Sequence, residues 1–392
     1  MGLEEWQVTV IHPATRWCAP PPGANPDARA IRLADVVLES GEVLPEVVVT
    51  FQTWGRLTPD ADNAVLVEHA LTGDSHVEGE AGPGQPTPGW WPGLIGPGRP
   101  LDTDELFVVA MNVLGGCRGT TGPGSTAPDG RPWGSRFPRT TIRDQVSVEA
   151  AVADALGIDA WFLVLGGSMG GMRAIEWAGG HPDRTRSALI LASAAHATAD
   201  QIAWGQAQNL AITSDPDFAG GDYYGTGRVP AAGLGIARRI AHTTYRSAEE
   251  LNDRFGTRAQ AGEDPLSDGR FAVESYLDHQ AGKLVGRFDA GAYVHLTAAM
   301  ATHDVARGRG SLVDVLGSYE GLLRVAAVDT DRLFPAKLSE EIVSAYGRGH
   351  VRMMRSAHGH DGFLIETEQV GAIVTETVAD ARRHRWPVRA AG

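Results

Sequence analysis

The chemistry in this chain starts at Ser168, in Leu165-Gly166-Gly167-Ser168-Met169-Gly170-Gly171. An apolar run from Trp161 to Leu165 precedes it, and helical spacing from Met169 to Ala178 follows. Gly-x-Ser-x-Gly between a strand and a helix is the pattern of a nucleophile elbow. The turn is so tight that side chains two positions either side of the serine would collide with neighbouring backbone. Its strain holds the hydroxyl above the sheet edge, where the Met169 amide at the helix start faces any oxyanion that forms. A plain Gly-rich turn is the bland alternative. The strand and helix on either side favour the nucleophile.

A serine hydroxyl needs a base, and enzymes built on such an elbow order their triad serine, acid, histidine. Two histidines compete in Ser356-Ala357-His358-Gly359-His360-Asp361-Gly362-Phe363. His360 is preferred, with His358 as a loop-supporting residue. A metal site made of both lacks a third ligand, so no metal is expected. Two acids compete after the apolar run Leu322 to Val328, in Asp329-Thr330-Asp331-Arg332-Leu333-Phe334-Pro335. Asp331 lies on the loop beyond the strand and is preferred. Asp329 would cap or turn the chain. The acid would hold the imidazole tautomer and stabilise the imidazolium. A second oxyanion donor should come from the loop after an early strand, and the amide of Leu71 in His69-Ala70-Leu71-Thr72-Gly73-Asp74-Ser75-His76 is placed for it. No HGGG segment is present, which disfavours a lipase.

These residues need a frame. Val47 to Phe51, Ala64 to Glu68, Leu106 to Ala110, Trp161 to Leu165 and Ser187 to Ala192 read as strands. Such short, mostly apolar runs suit strands buried on both faces of a parallel sheet. Thr141 to Leu156 and Met169 to Ala178 read as helices between them, which gives an α/β alternation. From 196 to 310 strand-like runs nearly vanish. Asp200 to Ile212, Ala231 to Thr244, Phe271 to Gln280 and Ala290 to His303 look helical. Leu322 to Val328 and Val351 to Arg355 then resume the sheet, and Glu366 to Arg382 gives a last helix. The organisation is therefore an N-terminal arm over 1–30, a core over 31–195 and 311–392, and a helical lid over 196–310. The Gly/Pro-rich loop at 79–98 carries Trp90-Trp91, too much apolar surface to leave in water, so it is expected to be ordered over the core.

Composition narrows the function classes. The chain has 392 residues and a formal net charge of −14, which argues against non-specific binding to nucleic acid or anionic membranes. Two cysteines, Cys18 and Cys117, are too few for a disulfide framework and suit a reducing, cytoplasmic setting. The N-terminus has neither the basic and apolar regions of a signal peptide nor the myristoylation pattern. No apolar run approaches the ~20 residues of a membrane helix.

Five segments together carry a family resemblance: HALTGDSH, NVLGGCRGTTGP (Asn112 to Pro123), WGSRFP (Trp133 to Pro138), GGSMGG and GHDGF. In this order they resemble the homoserine O-acetyltransferases of methionine biosynthesis, from about residue 35 to 380. The resemblance implies an α/β-hydrolase fold, with a mostly parallel central sheet, helices on both faces and an inserted helical lid. It implies Ser168, Asp331 and His360 as triad, with Leu71 and Met169 as the oxyanion hole, in agreement with the choices made from position. It further implies Arg238 and Tyr245 on the carboxylate side of a homoserine pocket and Asp361 on the amine. A zwitterion in a dry pocket does need one fixed cation and one fixed anion.

The implied reaction is ping-pong transfer of acetyl from acetyl-CoA, a co-substrate, to L-homoserine, with no permanently bound cofactor. The lid is expected to keep water from the acyl-serine. The family's habit is a homodimer formed through the lid. Rival readings are a serine esterase or thioesterase of the same fold, a succinyl-CoA or serine variant of the transferase, and a binding protein that has lost the triad.

Overall fold

The computed structural model describes residues 15–384. Its strands, in chain order, are β1 (Arg16–Cys18), β2 (Arg29–Val37), β3 (Val43–Trp54), β4 (Ala64–Glu68), β5 (Ile95–Gly96), β6 (Leu101–Asp102), β7 (Phe107–Met111), β8 (Leu163–Gly167), β9 (Ser187–Leu191), β10 (Leu322–Val328) and β11 (Val351–Met354). β5 and β6 pair only with each other. The other nine form one sheet in the order β1-β2-β3-β7-β4-β8-β9-β10-β11. β1, β2, β3 and β7 are joined antiparallel, and every pairing from β7 to β11 is parallel.

Every residue of β4, β7, β8 and β9 is buried, as a sheet covered on both faces requires. The two-residue period sorts their side chains into separate cores. Ala64, Leu66 and Val164 pack with Val146 and Val152 of α1 (Ile142–Leu156) and with Ile175 and Trp177 of α2 (Met169–Gly180). Val65, Val67, Leu163 and Leu165 face the other way, onto Trp91 and the buried valines Val370 and Val374 of the C-terminal helix.

The chain leaves the sheet after β9 and returns before β10. At that stem the Ala197 amide donates to the His303 carbonyl and the Val305 amide to the Ala195 carbonyl. Between these strands the chain is helical: α3 (Ala199–Thr213), α4 (Ala231–Tyr245), α5 (Ala248–Arg254), α6 (Ala272–Val285) and α7 (Ala290–Ala301). α3 opens with a capping box in which the Thr198 and Gln201 side chains satisfy each other's backbone amides. α3 packs on α4 and α7, and α4 on α6. The core then resumes with α8 (Leu312–Gly317), α9 (Ala336–Tyr346), α10 (Gly362–Ile365) and α11 (Thr367–Arg383).

The arm expected over 1–30 falls partly outside the described residues, which exclude 1–14. Within its remainder Arg16–Cys18 forms β1, paired with residues 30–32 of β2, and Arg29 already belongs to β2. The sheet thus reaches further toward the N-terminus than composition suggests. An edge strand exposed on one face lacks the continuous apolar run by which buried strands are read. The Gly/Pro-rich loop at 79–98 lies over the core. Trp91 is fully buried, donates from its indole nitrogen to the Phe363 carbonyl at 2.9 Å and meets the Phe363 ring edge-on.

Candidate active site

Ser168 sits where β8 meets α2, near the middle of the sheet. Its φ of 57° and ψ of −123° are a strained, left-handed turn for a residue with a side chain. Two glycines make that turn possible. A Cβ at Gly166 would lie 2.6 Å from the Gly170 backbone, and one at Gly170 would overlap the Glu68 carbonyl oxygen.

His360 lies on a turn between β11 and α10, with Nε2 2.9 Å from Ser168 Oγ and Nδ1 2.6 Å from Asp331 Oδ2. The other carboxylate oxygen, Oδ1, accepts the amides of Leu333 and Phe334, both at 2.8 Å. The carboxylate can only accept, so Nδ1 carries the proton and Nε2 is left to accept from the serine. The ring stacks on Phe334 at 4.9 Å, and Phe363 and Tyr245 flank it at 5.3 and 5.8 Å. All three polar side chains are nearly excluded from solvent.

The competing residues do other work. Asp329 Oδ1 accepts the Ser356 amide, which ties the strand ends together. His358 faces Arg246 at 3.1 Å and Glu250 at 3.5 Å, on the lid side of the loop.

Leu71 and Met169 flank the serine, and neither backbone amide is engaged by another group among the described residues. Leu71, Ser168, Arg238, Tyr245, His360 and Asp361 share the walls of a cavity of about 140 Å³. Trp90 and Arg287 line it as well. A smaller cavity of about 60 Å³ continues past Ser168 toward Trp204 and Gln208 of the lid. Outward, a space of about 320 Å³ shares Trp90, Arg238 and Arg287 with the first and adds Lys283, Asp74 and Gln85. A further cavity of about 920 Å³ between α11 and the 91–106 loop is lined by none of Ser168, Asp331 and His360.

The electrostatics are uneven. The Arg238 guanidinium stands over the Tyr245 ring at 5.5 Å, and burial together with Arg238 lowers the pKa of Arg287. Two guanidinium groups that repel in a partly dry cavity form a place for an anion. Asp361 lines the same cavity and pairs with Arg246 Nε at 3.2 Å. Burial raises the pKa of the Tyr245 hydroxyl, so it stays protonated. Cys117 is pushed up to about 12 by burial and by Asp289, which makes it an inert thiol. Among the described residues no group of three His, Cys, Asp or Glu could hold a metal.

Sequence reasoning singled out neither Arg287 nor Arg246. Arg287 lies outside any motif and Arg246 directly follows Tyr245; the packing of the helical segment on the core brings Arg287 to the pocket wall and Arg246 to Asp361. The Trp90-Trp91 pair did carry a signal in its apolar bulk, and the structure places Trp90 in the pocket wall.

Comparison with known proteins sets this geometry in context. The alpha/beta hydrolase fold family matches residues 63–366. The homoserine O-acetyltransferase of Thermobifida fusca is 57% identical over 362 residues, covering 92% of this chain and 95% of that protein. Among solved structures, esterase E22 aligns with a TM-score of 0.82 at 25% identity over 90% of this chain and 99% of its own. The homoserine O-acetyltransferase of Bacillus anthracis gives the same TM-score at 24% identity, over 90% and 97%. The fold is therefore shared equally by an esterase and a transferase.

Proposed function

Because the chain belongs to the homoserine O-acetyltransferase family of the α/β-hydrolase fold, we propose that it transfers acetyl from acetyl-CoA to L-homoserine through an acetyl-Ser168 intermediate. The observation that carries this is the unbroken line Asp331–His360–Ser168, opening on a cavity whose walls carry the Arg238 and Arg287 guanidinium groups and the Asp361 carboxylate.

His360 Nε2 takes the Ser168 proton as Oγ attacks the thioester carbonyl carbon. The amides of Leu71 and Met169 hold the resulting oxyanion, a contribution of about 3 kcal/mol per donor. The carbon–sulfur bond breaks, the imidazolium proton goes to the departing thiolate, and acetyl-serine remains. Homoserine then enters with its carboxylate toward Arg238, assisted by Tyr245, and its ammonium toward Asp361. Its hydroxyl gives its proton to His360 and attacks the acetyl carbon. The ester bond to Ser168 breaks, the serine recovers the proton and O-acetyl-L-homoserine leaves, a step of methionine biosynthesis.

In this reading the lid is the element that favours transfer over hydrolysis. Tyr245, Trp204 and Gln208 line the cavity beside Ser168, where they would take up room that water needs to reach an acyl group. Two copies joined through the lid would cover Ile202 and Leu210 of α3 and Ile236 of α4, each 43–54% exposed. Among the described residues no helix is long and apolar enough to cross a membrane, and a cytoplasmic setting suits the two reduced cysteines.

A thiol-release assay tests the assignment, with acetyl-CoA or succinyl-CoA as donor and L-homoserine, L-serine or no acceptor. Sustained turnover only with acetyl-CoA plus homoserine is expected, with at most one equivalent of thiol per Ser168 released when no acceptor is present. Sustained release without acceptor makes the protein a thioesterase, the reading its likeness to esterase E22 favours. A preference for succinyl-CoA or serine overturns the substrate and keeps the mechanism.

A further inference from the structure

The loop that carries the Leu71 amide is held from beneath by buried side chains. Arg173, fully buried, donates from Nη2 to the His69 carbonyl at 2.7 Å, and its Nη1 lies 2.6 Å from Glu68 and 2.8 Å from Glu149. Arg287 Nη1 donates to the Thr72 carbonyl at 2.8 Å. Between them, His69 Nδ1 is 2.8 Å from the carbonyl of Ala70, and its Nε2 is 3.1 Å from the Val113 amide. The Gly73 amide also reaches the Ala70 oxygen, at 2.9 Å.

The partners of His69 fix its tautomer. A carbonyl only accepts, so Nδ1 bears the hydrogen, and an amide N–H only donates, so Nε2 offers its lone pair. Burial and the nearby Arg173 guanidinium depress the pKa of His69 to about 3, so the ring stays neutral at any working pH. The Ala70–Leu71 peptide is planar and trans, so its C=O and N–H point in opposite directions. A carbonyl held against His69 turns the Leu71 N–H away from it, to the side where Leu71 and Ser168 share two cavities.

We propose that His69 is a positioning residue: through its Nδ1–H bond to the Ala70 carbonyl it fixes the peptide plane that presents the Leu71 amide to the oxyanion. The inference rests on Ser168 acylation as proposed above. It also gives the Asn112-Val113-Leu114-Gly115-Gly116 segment a role, since the Val113 amide sets the His69 tautomer. Arg173 acts one residue upstream on the same loop.

The test compares burst acylation by p-nitrophenyl acetate and by its thiono analogue, in which sulfur replaces the carbonyl oxygen. Sulfur is a weak acceptor and takes little from an amide oxyanion hole. His69→Gln keeps an acceptor for Val113 near the Nε2 position and loses the donor to Ala70. Acylation by the oxo ester is expected to fall about tenfold to a hundredfold, a partial loss of one oxyanion donor, with the thiono ester changed by less than about threefold. His69→Asn places an amide nitrogen near Nδ1 and is expected to recover most of that loss. Equal losses on both esters, or no rescue by His69→Asn, overturn the proposal. A wild-type enzyme that shows no preference for the oxo ester overturns the serine–oxyanion reading itself. A clear wild-type preference unchanged in His69→Gln overturns only the role of His69. The ¹⁵N spectrum of histidine-labelled wild type gives an independent check without mutation. One imidazole should stay in the Nδ1–H form across the pH range, and an Nε2–H form for His69 overturns the proposal.

Discussion

Asp331→Asn exchanges one carboxylate oxygen for an NH₂ group and should abolish the base without disturbing the fold. The native carboxylate is asymmetric. Oδ1 accepts the Leu333 and Phe334 amides while Oδ2 faces His360 Nδ1. An asparagine must keep its oxygen toward the two amides, because an NH₂ group there would meet two donors. Its NH₂ then faces His360 Nδ1, and that nitrogen can bond only as an acceptor. The imidazole proton moves to Nε2, which can no longer accept from Ser168 Oγ. The same tautomer reversal in a Ser-His-Asp triad lowers kcat by about 10⁴, which is about 5.4 kcal/mol of lost transition-state stabilisation. Volume and backbone bonds are preserved, so Tm should move by no more than about 4 °C. The assay is pre-steady-state thiol release from acetyl-CoA, with Tm measured on the same preparations. Asp329→Asn is the comparison, since Asp329 supports the loop through the Ser356 amide, and it should retain acylation within about tenfold. The reasoning fails if Asp331→Asn acylates within tenfold of wild type, or if Asp329→Asn falls as far.

Other outcomes follow from the same geometry. Asp361→Asn should raise the KM for homoserine more than about tenfold, the size of one lost charge-assisted bond, and leave acylation by acetyl-CoA intact; stopped-flow acylation and steady-state transfer separate the two effects. Gly170→Ala sets a methyl group against the Glu68 carbonyl oxygen and should lower stability by about 1–3 kcal/mol, read from denaturant midpoints. Arg173→Met strands Glu68 and Glu149 in the core and should cost about 3–5 kcal/mol, which chemical denaturation measures. Acid should destabilise the fold from about pH 6.5 downward. Burial lowers the pKa of His69, His242 and His303 to about 3, against 6.5 in the unfolded chain. Between those values the unfolded chain binds more protons, so stability is present above about 6.5 and drains away as pH falls through that window. Tm against pH reads this, and the slope should flatten in His303→Gln.

Much of the site was legible in the sequence because it lies on short segments with strict local requirements. The Gly-Gly-Ser-Met-Gly-Gly turn announces itself, since backbone this close tolerates no Cβ at Gly166 or Gly170. The strands β4 and β10 were read with their ends at Ala64–Glu68 and Leu322–Val328, because a strand buried on both faces is a continuous apolar run. β1 and the whole of β2 are not marked by a continuous apolar run, since β1 is mostly exposed beside a proline-rich stretch and β2 mixes exposed with buried residues.

Tertiary structure decided what spacing left open. His358 and His360 are two residues apart, as are Asp329 and Asp331, and nothing local separates either pair. Only the crossing of the β10 and β11 loops over the elbow brings His360 within 2.9 Å of Ser168 and turns His358 toward Arg246. The same holds for two cations at the site, Arg287 in the pocket wall and Arg246 behind Asp361. Arg246 follows α4 and Arg287 follows α6, and each becomes a site residue because the lid folds back on the His360 loop and on Thr72. A nucleophile's turn is a property of five adjacent residues. A charge-lined pocket is a property of segments more than a hundred residues apart, and its chemistry exists only once burial has removed the water between them.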